Sequence, residues 1–127
     1  MSHPPILKPE AIEALRSLSP DGDVSFLREL IDIFLTDTPK QLGKLESALA
    51  AQNSDAVTRA AHTIKGSSGN FGATHFAQIA QQIENLGKAN DLAAASVLLV
   101  DLKHHYALVV GELKRLAGGS EFTDTTR

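Results

Sequence analysis

The stretch "AAHTIKGSSGNFGA", residues 60–73, sets His62 three residues before Lys65 and places Gly66, Gly69 and Gly72 close behind, in a chain that otherwise reads as helical. Neutral imidazole is a nucleophile that can attack a phosphorus centre. The phosphoramidate so formed gives its phosphoryl group up again readily, so an exposed histidine of this kind would work as a relay. A lysine one turn away offers the phosphoryl oxygens a cation. Glycines beside the ring leave room for a second molecule to come close.

Helical geometry sorts these residues onto two faces. With about 100° per residue and Val57 set at zero, Val57, Ala60, Ala61, Ile64 and Ser68 fall within roughly 60° either side of it, whereas His62 falls near ~140°, Gly66 near ~180°, Gly69 near ~120° and Lys65 near ~80°. The first set buries the helix and the second faces outward. A glycine inside a helix costs about 1 kcal/mol relative to alanine, and on a solvated face that loss serves no packing. A frayed helix end near "GSSGN" accounts for Gly69 in part, and for Gly66 much less.

The elements that must position this face are helices by apolar period. A leader helix, about Pro9 to Leu18, repeats Ile12 and Leu15 and ends at "SPDGD", where Asp23 can cap the next helix. That next segment, Val24 to about Ala50, is interrupted by Pro39 and reads as one long bent helix or two stacked pieces. Asn53 or Ser54 can cap a third segment running to about Asn70, and a fourth spans about Thr74 to Lys88 before Gly87 or Asn90 offers a left-handed stop. The last, Asp91 to about Ala117, carries Leu92, Ala95, Leu99, Leu102, Tyr106, Val109, Leu113 and Leu116 in steps of three and four, a bundle seam. Short loops between long amphipathic helices predict an all-α, antiparallel up-and-down four-helix bundle with a short additional N-terminal helix. The expected organisation is a flexible N-terminus over residues 1–8, the bundle over 9–117 and a disordered tail over 118–127.

Composition narrows the function classes. The net charge of -3 arises from mixed signs with no basic cluster, which argues against nucleic acid. Without cysteine there is neither disulfide nor thiolate metal site. No apolar run approaches the ~20 residues that cross a bilayer, and "MSHPPILKPE" lacks the regions of a signal peptide, so the expectation is a cytoplasmic monomer without membrane insertion. His104 and His105 are adjacent and cannot grip one metal as an i, i+4 pair does, while His3 and His75 are scattered, so no metal site is expected.

If the third and fourth helices run antiparallel about a turn near Phe71 to Ala73, residues whose numbers sum to about 146 lie at one height. That sets Glu84 level with His62, at the edge of its own apolar stripe. Its carboxylate could accept a hydrogen bond from Nδ1 and leave Nε2 free to react.

The block "AAHTIKGSSGNFGA" resembles the signature of histidine-containing phosphotransfer (HPt) domains, in which an exposed helix histidine is followed three residues later by lysine and then glycine. The flanks "FLRELIDIFLTDTPKQLGKLESALAA" and "FAQIAQQIENLG" resemble the family too, so the likeness covers about Leu18 to Leu116. It implies transfer of a phosphoryl group between phosphohistidine here and aspartates of receiver domains in a two-component phosphorelay, with a hybrid sensor histidine kinase as a further partner. His62 matches the phosphorylated position, Lys65 the family's cation and Gly66 the small residue beside the site. Where several members carry a glutamine, this chain carries Glu84. The resemblance implies no cofactor in this chain and Mg²⁺ on the receiver.

No P-loop-type nucleotide loop is present, so the chain reads as a phosphotransfer intermediate rather than a kinase, without ATP-dependent autophosphorylation. The rival reading is an HPt-like adaptor that binds a receiver or helical partner and transfers nothing. Partner contacts are expected on a shallow, mostly apolar surface around the histidine, from Arg59, Ser67 and Asn70, with Ile12, Ile6 and Leu7 of the leader.

Overall fold

In the computed structural model, residues 6–18 and 25–116 are described. Among them the chain forms α1 (Pro9–Arg16), α2 (Ser25–Ala50), α3 (Ser54–Gly69), α4 (Thr74–Lys88) and α5 (Leu92–Leu116), with no strand. Helices α2 to α5 make the expected bundle. α3 packs most extensively on α4 and then on α2, while α5 closes the bundle against α4 and α2. The expected loop cap Asp23 and the tail 118–127 lie outside the described residues.

α2 runs unbroken through Pro39, which settles the choice between one helix and two. A proline within a helix forfeits the backbone bond to the residue four before it. Here the lost bond is offset by Phe34, Thr38, Leu42 and Leu45, all buried on one face of that helix, with Pro39 itself exposed. The interior is aliphatic, fed by Leu27, Ile31, Val57, Ile64, Ile83 and Leu102, none of which is exposed at all. At one end an aromatic group anchors the α3–α4 turn: Phe34 meets Phe71 edge-on at 5.4 Å and Phe76 at 6.5 Å, and Tyr106 lies 6.0 Å from both Phe34 and Phe76.

The α3–α4 hairpin is held at both ends. Asn53 caps α3, its side chain accepting from the Ala56 amide at 3.1 Å. In the turn Gly72 takes φ 67°, and a Cβ there would lie 2.6 Å from Lys8 Cβ and 2.9 Å from the Lys8 amide nitrogen. That amide donates to the Gly72 carbonyl at 3.1 Å, so the segment before α1 is tied to the turn. Residues 6–8, expected in a flexible N-terminus, are therefore packed, with Leu7 buried.

The two candidate stops for α4, Gly87 and Asn90, sort themselves out at the other end. Asn90, at φ 59°, takes the left-handed stop after α4. Gly87 lies buried inside α4, where a Cβ would come within 2.6 Å of Thr58 Oγ1 and 3.1 Å of Val57 Cγ1. It is what lets α4 approach α3 closely.

By length and composition α5 is apolar enough to cross a membrane, contrary to the sequence expectation that no segment approaches this. The reason is that its seam of Ala95, Leu102, Val109 and Leu113 is supplemented by exposed Val97, Val100 and Leu108. In the bundle that seam packs against α4 and α2.

Candidate functional site

α3 presents its exposed face as the apolar period requires: Val57, Ala60, Ala61, Ile64 and Ser68 are buried, and His62, Gly66 and Gly69 are exposed. The His62 side chain is 65 % exposed. A Cβ added at Gly66 or Gly69 would meet nothing within 4 Å, so no contact inside the molecule requires either glycine.

Beneath this face lies a carboxylate. Glu84 is buried on α4, its side chain 6 % exposed, and its Oε2 stands 3.1 Å from His62 Nδ1. Lys65 Nζ is 2.9 Å from Glu84 Oε1 and 2.8 Å from Gln81 Oε1. Oε1 has no well-aligned donor, so the Lys65 contact is held by charge more than by direction. Lys88, one turn further along α4, brings a second ammonium group to within 3.4 Å of Oε2. Gln81 in turn donates from Nε2 to Asn85 Oδ1 at 2.9 Å, which fixes which side of its amide faces Lys65.

The state of the carboxylate follows from these neighbours. Burial pushes the Glu84 carboxyl up, but the Lys65 ammonium at 2.9 Å and the hydrogen bond from His62 outweigh it and hold its pKa below the ordinary value. An ionised carboxylate only accepts, so the neutral His62 ring carries its proton on Nδ1 and leaves the lone pair on Nε2. The arrangement is an imidazole held through Nδ1 on an open surface, with a cation one turn away, a geometry that could present Nε2 as a nucleophile.

A family model of the Hpt domain matches residues 29–117. The chain belongs to the Hpt domain family. The crystal structure of histidine-containing phosphotransfer protein B (HptB) from Pseudomonas aeruginosa PAO1 is similar with a TM-score of 0.82 and 26 % identity, over 91 % of this chain and 96 % of that one. A comparison with curated protein sequences found no significant match. The chain is thus a histidine phosphotransfer domain of phosphorelay signalling, a family that works with receiver domains and kinases.

The structure brings together His62, Lys65, Gly66 and Glu84 of the residues singled out from sequence, and spreads the others. Gly69 follows one turn beyond Gly66 on the exposed face. Ser67 and Asn70 lie on the α2 side of α3, lining a small depression with Leu30, Ile33, Phe34 and Asp37, where Ile33 is 56 % exposed. Arg59 borders a larger open groove between α2 and α3, beside Lys40, Lys44, Gly43 and Thr63.

Ile12 requires a correction: it is buried in the core, as is Leu7, and neither can touch a partner without unpacking. The leader docks its apolar side onto the bundle, a tertiary contact its own period does not reveal. Sequence reasoning missed Gln81 and Lys88. The height rule that paired His62 with Glu84 pairs Lys65 with Gln81 as well, and Lys88 is four residues beyond Glu84 on the same helix face. Among the described residues no group of three or more His, Asp or Glu is arranged to hold a metal ion.

Proposed function

We propose that His62 is the residue phosphorylated in this domain. The observation that carries the reading is an exposed imidazole whose Nδ1 is engaged by a buried, ionised carboxylate at 3.1 Å while its other nitrogen stays free. In the forward step the Nε2 lone pair attacks the phosphorus of a receiver's aspartyl phosphate. The Nε2–P bond forms, the P–O bond to the aspartate breaks, and the aspartate leaves as carboxylate with the electron pair. Nδ1 keeps its proton, so the ring becomes a phosphoimidazolium whose positive charge Glu84 stabilises. The reverse step returns the phosphoryl group from a good leaving group to a second aspartate.

Lys65 offsets charge on the phosphoryl oxygens. Gly66 and Gly69 provide the clearance with which a receiver approaches the ring. The docking surface extends to the depression edged by Ile33, Ser67 and Asn70, with the cations Arg59, Lys40 and Lys44 steering an acidic partner. A relay of this kind acts as a cytoplasmic monomer and binds its receiver weakly, at about micromolar affinity, so that it can turn over. The metal of the transfer step, Mg²⁺, belongs to the receiver.

Incubation with a phosphorylated receiver tests the reading. Wild-type protein is expected to acquire acid-labile phosphate, and His62→Gln to acquire none while binding the receiver as before. Transfer that persists in His62→Gln removes His62 from the role. Binding without transfer by the wild-type protein, across several receivers, favours an adaptor.

A further inference from the structure

Two ammonium groups, Lys65 and Lys88, and the His62 ring converge on the one carboxylate of Glu84, and they differ in what phosphorylation would ask of them. His62 is bonded to Oε2 through Nδ1, and Lys65 spans Oε1 and the Gln81 carbonyl oxygen. A Lys65 ammonium held there must leave, at least in part, to meet phosphoryl oxygens beyond Nε2. Departure of Lys65 strips a buried carboxylate of a counter-charge, a loss that grows with burial, and Glu84 is the buried charged side chain among the described residues. Lys88 is the group that stays. Its ammonium is 3.4 Å from Oε2, its side chain is 62 % exposed, and it lies in the last turn of α4, whereas Lys65 lies on α3 and meets the other oxygen, Oε1.

We infer that Lys88 is a positioning residue of phosphotransfer: by sharing Glu84, it loosens the hold of that carboxylate on Lys65 and keeps it neutralised when Lys65 turns to the phosphoryl group. The described polar contact of Lys88 is with Glu84, and the residue acts through that carboxylate. The inference rests on His62 being the phosphorylated residue. Without Lys88, Glu84 has only Lys65 and His62 as partners, so Lys65 is retained on the carboxylate and phosphorylation slows. Gln81 marks the resting place of Lys65, its amide oxygen being turned toward the ammonium by the bond to Asn85.

The test uses phosphoramidate as the donor, which needs no receiver: its P–N bond breaks as Nε2–P forms, and its nitrogen leaves as ammonia. Rates of phosphohistidine formation are followed by ³¹P NMR in folded proteins of verified melting temperature. Lys88→Gln is expected to label about two- to fivefold more slowly than wild type, the size of a largely exposed ion pair. Lys88→Arg is expected to restore the rate, and in a Glu84→Gln background Lys88→Gln is expected to change nothing. A wild-type rate in Lys88→Gln, failure of arginine to rescue, or an equal slowing in the Glu84→Gln background each overturns the inference. The His62→Gln control is expected to take no label; label there defeats the site assignment instead, so the two failures are told apart.

Discussion

Replacing Gly66 by alanine separates what α3 wants from what its partner wants. The added Cβ would find no atom within 4 Å, so it costs nothing in packing. It also removes the propensity penalty of a helical glycine, roughly 0.5–1 kcal/mol here because Gly66 lies in the last turn or so of α3. For a domain of 127 residues that corresponds to a melting temperature raised by about 2–5 °C. At a docked interface the same methyl group behaves as an overpacking substitution, which costs about 1–3 kcal/mol, a loss of roughly five- to hundredfold in receiver affinity. Thermal denaturation, calorimetric titration with a receiver and labelling by phosphoramidate make up the assay. The variant is expected to be more stable, to bind and exchange with the receiver more weakly, and to label from the small donor as wild type does. A less stable variant contradicts the open space around Gly66. A more stable one that still binds and transfers normally refutes the idea that the glycine is there for clearance.

Gly87→Ala should behave oppositely: its Cβ would press on Thr58 Oγ1 at 2.6 Å, and the overpacking outweighs the regained propensity to leave a net loss of about 1 kcal/mol, seen as a lower melting temperature. Glu84, with a pKa held below its ordinary 4.5 by Lys65 and His62 against the pull of burial, contributes stability in full above that pH and loses it as pH falls through the lower folded value. Acid denaturation of Glu84→Gln should accordingly be the shallower of the two below pH 4.5, and equal slopes would contradict this. His105 stacks on His75 at 4.3 Å and meets His104 at 5.8 Å; burial first, then the charges of His75 and His104, lower its pKa below 6.5, with Asp101 opposing. The unfolded chain then takes up the proton first, so stability is greatest above pH 6.5 and declines below it, and His105→Gln should flatten that decline in melting temperature.

Local signals carried much of this architecture. The i, i+3, i+4 apolar period placed Val57, Ala61 and Ile64 inward and His62 outward, and residue type offered Asn53 or Ser54 as the cap, of which the structure uses Asn53. One arithmetic step, the common height across an antiparallel hairpin, found the Glu84 partner. What stayed hidden depends on contacts between elements distant in sequence. The depth of Glu84 could not be read from its place at the stripe's edge, because Lys65, Lys88 and His62 close over it. The burial of Ile12 comes from docking of the leader at Gly72, whose positive φ is a property of the folded turn. Likewise His75 and His105 sit on different helices, and only the α4–α5 packing stacks them.

The turn between α3 and α4, residues 70–73, is a length gauge for the chemistry above it. His62 with Glu84 and Lys65 with Gln81 share one register, and adding or deleting a single residue in the turn would advance α4 by about 1.5 Å and rotate it by roughly 100°. Both pairs would come apart together. Phe71 rooted among the aromatics and the amide of Lys8 on the Gly72 carbonyl leave no slack in which such an insertion could be absorbed. Surface loops ordinarily tolerate insertions and deletions well. In this protein a loop that supplies no side chain to either pair sets the register on which both pairs depend.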